Sequence, residues 1–368
     1  MLTGSIRLQL LIGETLPRPA PYEVLQALVS AQVNMTEEGR DGFQLILRLG
    51  RDTPSDSSLL RDGLFDPPSR VTIGVMLGVV PTVLINGVIT RHEVMASNTP
   101  GEAQLVVTGD DSSLDLDLEE RTRTFPNMSD SAIARRIIGE YQLQPDVTDT
   151  QDTPSETNRM PSQQRTDLAY LRELATRNGF VFYIEPGPVP GISVAHWGPE
   201  NRDGQPQLAL SVGRGPNSNV EHLQFGFNSL TGTNPTVTIR DPLTQTPIQV
   251  PAPDLLNPSL TQQQAQPRRT TIARDVGGFD TNQALLRALA ESQGNADSST
   301  GNGWLNTARY GRILQARRLV DVSGAGNTYD GTYFVKAVQH IIRVGEYTQR
   351  FTLSRGGRGA SSPRVATA

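Results

Sequence analysis

Arg121-Thr-Arg-Thr-Phe125-Pro-Asn-Met-Ser129-Asp-Ser131-Ala-Ile133-Ala-Arg-Arg-Ile137-Ile138-Gly-Glu-Tyr141 is a β-type segment that runs straight into a capped amphipathic helix. Ser129 can accept from the free N–H groups of the first helical turn, and Asp130 suits the positive end of the helix. Ile133, Ile137 and Tyr141 recur every four residues, with Ile138 beside them, so one stripe is apolar. A second unit follows about twenty-five residues later: Thr166-Asp-Leu168-Ala-Tyr170-Leu171-Arg-Glu-Leu174-Ala-Thr-Arg-Asn-Gly179-Phe180-Val-Phe182-Tyr183-Ile184-Glu. Gly179 suits the residue after a helix end. Phe180 to Glu185 and Ile192 to Trp197 then pair across the Pro186–Gly191 turn as a hairpin. Residues 126–215 thus read as a helix-hairpin α+β module. Its polar, turn-rich stretch near 144–162 is expected to be a mobile loop.

On either side of this module the pattern is β, so the fold class is mainly β with α+β insertions. In residues 1–125, Phe43, Leu45, Leu47 and Leu49 alternate with Gln44 and Arg48, as in a half-buried strand. Val71 to Ile89 carries no charge over nearly the length of a membrane span, but Gly74, Gly78, Pro81, Asn86 and Gly87 interrupt it. It reads as two buried strands about a Pro turn, not as a span. Asp56 to Phe65 resembles a short capped helix. Leu114-Asp-Leu116-Asp-Leu118-Glu reads as a strand with Asp115, Asp117 and Glu119 on one face. In residues 216–358 the strongest signal is the terminal hairpin from Gly331 to Ser354, with Tyr347, Phe351 and Leu353 on one side. A Pro/Gln-rich linker and a helix carrying Leu285, Leu286 and Leu289 are expected near 251–300, and a disordered tail at 359–368. The Val88–Thr108 hairpin faintly echoes Val338–Ser354, which suggests a repeat.

The chain has 368 residues, 36% hydrophobic, and no Cys. Mean hydropathy is −0.35. Two or three modules are expected at this length. Without Cys there are no disulfides, thiol nucleophiles or Cys-based zinc sites. Net charge is −5, which argues against phosphate-driven nucleic-acid binding. Lys336 is the sole lysine, so Arg carries almost all the positive charge.

No constellation for chemistry stands out. His92, His196, His222 and His340 are scattered, and His92-Glu93 lacks a second histidine at position 96, which is Ala. There is no Gly-x-Ser-x-Gly elbow. The glycine-rich Gly213–Gly215, Gly324–Gly326 and Gly356–Gly359 lack the Lys-Ser/Thr pair of a phosphate loop. The Arg268-Arg269 and Arg317-Arg318 pairs have no aromatic platform beside them. Asp115, Asp117 and Glu119 are the densest acids and read as a solvated or lumen-facing stripe. No catalytic, cofactor-binding or metal-ligating residue is assigned. A cell-wall hydrolase would need convergent acids or a nucleophile in a cleft. A carbohydrate-binding β module would need clustered exposed aromatics, whereas Trp197 and Trp304 are the only tryptophans.

The order of these parts resembles the late-control D family of tailed phages, the gp27-like hub proteins related to the N-terminal part of VgrG-type chains. The matching parts are the strand ending Arg121-Thr-Arg-Thr-Phe125, the Ser129-Asp helix, Thr166-Asp-x-x-Tyr170-Leu171, Asn178-Gly-Phe-Val-Phe-Tyr183 and the hairpin ending Phe351-Thr-Leu-Ser-Arg355. The resemblance implies two tube-like antiparallel β-barrel domains, at 1–125 and 216–358, flanking the helix-hairpin module. It implies a structural baseplate hub subunit with no enzymatic role, in a contractile phage-tail-like particle or injection system. A homotrimer would join a hexameric inner tube protein to a separate spike protein, alongside other baseplate proteins. Assembly is then expected in the bacterial cytoplasm, without nucleic acid, membrane span or cofactor.

Overall fold

The structure is a computed structural model that describes residues 6–37, 39–49, 58–99, 101–150, 153–154, 160–228, 230–231, 233–240, 247–251, 260–264, 269–272 and 297–360. The helix expected around Leu285 and residues 361–368 of the tail lie outside this set, as does the start of the helix near Asp56, whose described part is Ser58–Arg61.

A sheet of thirteen strands dominates the molecule, and it runs through both β regions without a break. After Ile6–Gly13, which pairs antiparallel with Arg70–Leu77, the first β region contributes a set of five strands: Leu28–Thr36, Gly42–Arg48, Arg70–Leu77, Val80–Met95 and Gln104–Asp111. The first pairs with the second, the second with the fifth, and the fifth with the fourth, all antiparallel. The third strand pairs with the front half of the fourth, from Arg70↔Val88 to Leu77↔Val80. The second region repeats this plan with His222–Phe227, Ser299–Asn306, Leu319–Ser323, Gly331–Arg343 and Glu346–Arg355. Again the order is first–second, second–fifth, fifth–fourth, with the third strand on the front of the fourth. Even the bulge recurs between the fourth and fifth strands, at Ile89/Arg91 and at Val335/Ala337. The faint hairpin echo in the sequence thus occupies the same place in two five-strand units.

The units join edge to edge. The rear half of Gly331–Arg343 pairs antiparallel with Leu28–Thr36, from Ala337↔Thr36 to Arg343↔Ser30. Alternation explains how one sheet can serve a core and an open face together. Phe43, Leu45 and Leu47 are buried, as are Tyr347, Phe351 and Leu353, and all belong to one apolar cluster shared by both units. Glycine shapes this packing where rings cross the sheet. A Cβ on Gly109 would stand 2.5 Å from the Phe43 ring, and one on Gly303 would stand 2.7 Å from Phe351. On the open face, matching rows cross each unit: Gln32–Gln44–Thr108–Arg91 in one, Gln224–Asn302–Thr352–Ala337 in the other.

The helix-hairpin module has its own core. Helices Asp130–Gly139 and Asp167–Asn178 pack Ile133, Ile137, Leu171 and Leu174 against Phe125, Phe182 and Trp197. Ser129 and Thr166 cap them, accepting from Ala132 N and Ala169 N, and Gly179 ends the second helix with φ +70°. The hairpin pairs Val181–Pro186 with Ser193–Gly198 as expected.

Four local expectations are corrected. Leu114–Glu119 is not a strand. Ser112–Asp117 is a 3₁₀ helix, because the Asp111 side chain accepts from Ser113 N at 2.7 Å and closes a turn that the alternating Leu/Asp pattern does not reveal. Part of the loop expected near 144–162 is ordered: Gln144–Val147 adds a parallel strand to Ser193–Gly198, which satisfies backbone groups beside the hairpin. Within the linker expected after residue 251, Thr261–Gln264 pairs with Gly357–Ala360, so residues 359 and 360 of the expected tail form a strand. The turn between Arg70–Leu77 and Val80–Met95 is made at Gly78, φ +67°, and Pro81 lies inside the second strand.

Candidate functional site

Asp167 shows why the sequence signature around Arg121 and Thr166 is spaced as it is. Strands Glu120–Thr124 and Ser162–Thr166 form a two-stranded ribbon with Arg121 opposite Arg165. The ribbon places Arg121 and Gln163 over the start of the second helix. Asp167, fully buried there, accepts from Arg121 Nη1 at 2.9 Å, Gln163 Nε2 at 2.6 Å and the Tyr141 hydroxyl at 2.5 Å. Glu140 at the end of the first helix takes both Arg123 and Arg121. Those contacts hold the Glu140 carboxyl below its usual range, Arg123 contributing most. Burial pushes the Tyr141 hydroxyl up, aided by Asp167, so it stays a donor. At the far ends, Arg177 and Asn178 of the second helix bind Asp130 of the first. These are clamps between elements.

A second set of groups joins all three parts of the chain. Arg317, held at φ +61°, donates to Asp41 Oδ1 at 2.7 Å and to Oδ2 at 2.9 Å. Its guanidinium also donates to Thr36 O at 2.5 Å and lies 4.3 Å from the Tyr183 ring centre. Asp41 belongs to the first unit, Arg317 to the second and Tyr183 to the module. Burial raises the Asp41 carboxyl and the Arg317 charge opposes this. Close by, Glu37, Glu200, Arg202, Asp297 and Lys336 form a partly buried ionic cluster. Lys336 Nζ lies 3.0 Å from Glu37 and 3.1 Å from Asp297, and Arg202 bonds both Asp297 and Glu200. Three carboxyls meet two cations. Burial, followed by the neighbouring Glu200, pushes Glu37 up to about 8.

The residues that stood out in the sequence are dispersed. Asp115 pairs with Arg70, Asp117 with Arg40 and Thr166 Oγ1, and Glu119 with Arg121, and of these the Asp117–Thr166 bond ties the module to the first unit. His92 faces Phe65 O, His196 contacts Asp146 and the buried His340 lies 2.7 Å from the Tyr347 hydroxyl. Among the described residues no group of three or more His, Cys, Asp or Glu could hold a metal ion. Trp197 is fully buried, whereas Trp304 is 42% exposed. A cleft of about 670 Å³ separates the module from the first unit, lined by Leu16, Arg70, Asn86, Asp115, Tyr141 and Ile192. Its polar groups are engaged: Asn86 accepts from Thr72 Oγ1 and donates to Ile192 O, and Arg70 holds Asp115. Asp41, Glu37 and Arg317 carried no local sequence signal beyond the bare Arg317-Arg318 pair.

Residues 10–213, more than half of the chain, match the family of the Alg8 N-terminal domain, and the chain belongs to that family. No curated protein sequence matches it. Solved structures with a similar fold include a tail protein from Neisseria meningitidis MC58, 13% identical over 96% of this chain and 98% of that one, TM-score 0.62. The 43 kDa tail protein of prophage MuSo2 from Shewanella oneidensis is 14% identical over 96% and 99%, TM-score 0.64. The E. coli c3393 protein, a type VI secretion component described as similar to the T4 tail proteins gp27 and gp5, is 12% identical over 93% and 78%, TM-score 0.56. The fold is therefore shared with these phage-tail and type VI secretion proteins. No described helix is long and apolar enough to cross a membrane.

Proposed function

We propose that this member of the Alg8 N-terminal domain family is a structural baseplate hub subunit of a contractile tail-like particle or injection system. In this reading it acts as a homotrimer that seats a hexameric inner tube on a separate trimeric spike, in contact with other baseplate proteins, and it assembles in the bacterial cytoplasm. One observation carries the reading: the chain contains the same five-strand plan twice, side by side in one sheet. Three copies, with two units each, would present six quasi-equivalent units to a sixfold ring while keeping threefold symmetry toward a spike. The division into units at 1–125 and 216–358, separated by the module at 126–215, is part of the same proposal. The side-chain networks support a mechanical role, since they clamp helix to ribbon and unit to unit. The test is native mass measurement of the chain co-expressed with its spike protein. Three copies per complex are expected, and one copy in an otherwise assembled complex overturns the reading.

A further inference from the structure

Trp304 interrupts the polar surface on the open face of the sheet. It lies near the end of Ser299–Asn306 and is 42% exposed, whereas Trp197, the chain's other tryptophan, is fully buried. Alternation puts it there: Gly301, Gly303 and Leu305 turn toward the core, so Asn302 and Trp304 turn outward. Directly across the ladder, Trp304 has His222 on one side and Arg350 on the other. Such cross-strand neighbours hold their Cβ atoms about 5 Å apart, so the three side chains share one surface. Arg350 in turn faces Gln339, and the adjacent row is Gln224, Asn302 and Thr352. Together they line an open groove of about 350 Å³. Its polar groups are mostly unused, unlike those of the cleft beside the module. Thr352 Oγ1 donates to Asn302 Oδ1 at 3.0 Å, which leaves the Asn302 amide donors free. The Arg350 guanidinium and the His222 imidazole have no ion pair or hydrogen bond among the described residues. No acidic side chain among the described residues lines the groove, and the neighbouring Glu221 is held by Arg309 at 3.0 Å.

An exposed ring, a cation without a counter-ion and a rim of amides thus meet on one surface. The ring face stacks on a flat apolar surface, a guanidinium pairs bidentately with a carboxylate, and amides meet hydroxyls. We infer that this groove binds a saccharide whose sugar unit carries a carboxylate, a hexuronic acid in its simplest form. The C–H face of the pyranose lies on Trp304, its carboxylate pairs with Arg350, and its hydroxyls meet Asn302, Gln339 and Gln224. Two other ligands that can stack fit less well. A single-stranded nucleic acid needs a cationic path for successive phosphates, and the rows around Arg350 are neutral amides and hydroxyls. A peptide needs pockets for apolar side chains, and Trp304 is the one large exposed apolar group lining the groove. This inference goes beyond the hub reading and does not depend on it.

Fluorescence tests this locally, because of the two tryptophans only Trp304 is open to a soluble ligand. Full-length protein titrated with tetragalacturonic acid should shift its tryptophan emission and become less accessible to acrylamide. The fully methyl-esterified tetramer, which lacks only the charge, should bind about tenfold more weakly, as expected for the loss of one charge-assisted contact. Arg350→Gln, a change at an exposed side chain, should bring the acidic tetramer down to the affinity of its ester. Saturation-transfer NMR of the sugar needs no tryptophan. Its signal should vanish with Trp304→Ala and persist with Trp304→Phe, which keeps a ring. Should Trp304→Ala fail to fold, the Arg350→Gln comparison decides. Absence of binding by tetragalacturonic acid, or equal binding to wild type and Arg350→Gln, overturns the proposal. Tighter binding of hexathymidylate than of the sugar also overturns it, in favour of a nucleic-acid site.

Discussion

Asp167 accepts three hydrogen bonds with no exposure to solvent, so truncation leaves the Tyr141 hydroxyl without its acceptor, while Arg121 keeps Glu140 and Glu119. Asp167→Ala should lower unfolding free energy by about 1–3 kcal/mol, the usual result of leaving a buried donor without its partner. Denaturant titration checks it, and a loss of under about 1 kcal/mol would show that the network contributes little. Glu37 gives a pH signature. Its carboxyl titrates near 4.5 when unfolded and is pushed up to about 8 in the fold, first by burial and then by Glu200, against Lys336. The folded state thus holds a proton that the unfolded chain releases. Stability from this group is complete below about pH 4.5 and is lost as pH rises through 8. Glu200, Asp297, Arg202 and Lys336 are the charged groups that meet at this cluster. Glu37→Gln should flatten the decline of stability between about pH 4.5 and 8, and an unchanged slope would exclude Glu37 as its source. None of this was legible in the sequence, since Glu37, Glu200, Asp297 and Lys336 lie far apart along the chain and meet only through folding.

At the level of single elements, local chemistry was a good guide. Ser129, Thr166 and Gly179 act at the helix ends they suggested, because capping needs only residues a few positions apart. Ser129→Ala should cost about 1 kcal/mol, measured by thermal unfolding and restored by Ser129→Asp. The 3₁₀ helix at Ser112–Asp117 was misread because its Leu/Asp alternation has the period of a strand. What decides the turn is Asp111 closing on Ser113, one side chain before the misleading pattern. The strand at Gln144–Val147 was missed for a different reason. Its partner, Ser193–Gly198, lies some fifty residues away, and a short polar strand has no apolar rhythm of its own.

For the whole molecule, the repeat was faintly visible in two hairpins, but the single sheet that unites them was not. Pairing of Leu28–Thr36 with Gly331–Arg343 spans about three hundred residues, and no local pattern encodes such a register. Arg317 lies where both units and the module meet. Arg317→Ala should leave Asp41, at 3% side-chain exposure, with no cation among the described residues, and lower stability by about 3–5 kcal/mol. The loss should be felt in both units, so hydrogen exchange should quicken at residues 30–36 and 337–343 together. Quickening in one unit alone would mean that Arg317 is local to it.

Lys336 sits against Glu37 and Asp297, whose charges, outweighing the effect of burial, keep its ammonium protonated well above the ordinary lysine range. It is the chain's single lysine. Amine-reactive dyes should therefore leave this subunit almost dark in an otherwise stained particle. Lysine-directed crosslinking should report its neighbours poorly, and carboxyl- or cysteine-directed reagents are the ones that should map its contacts.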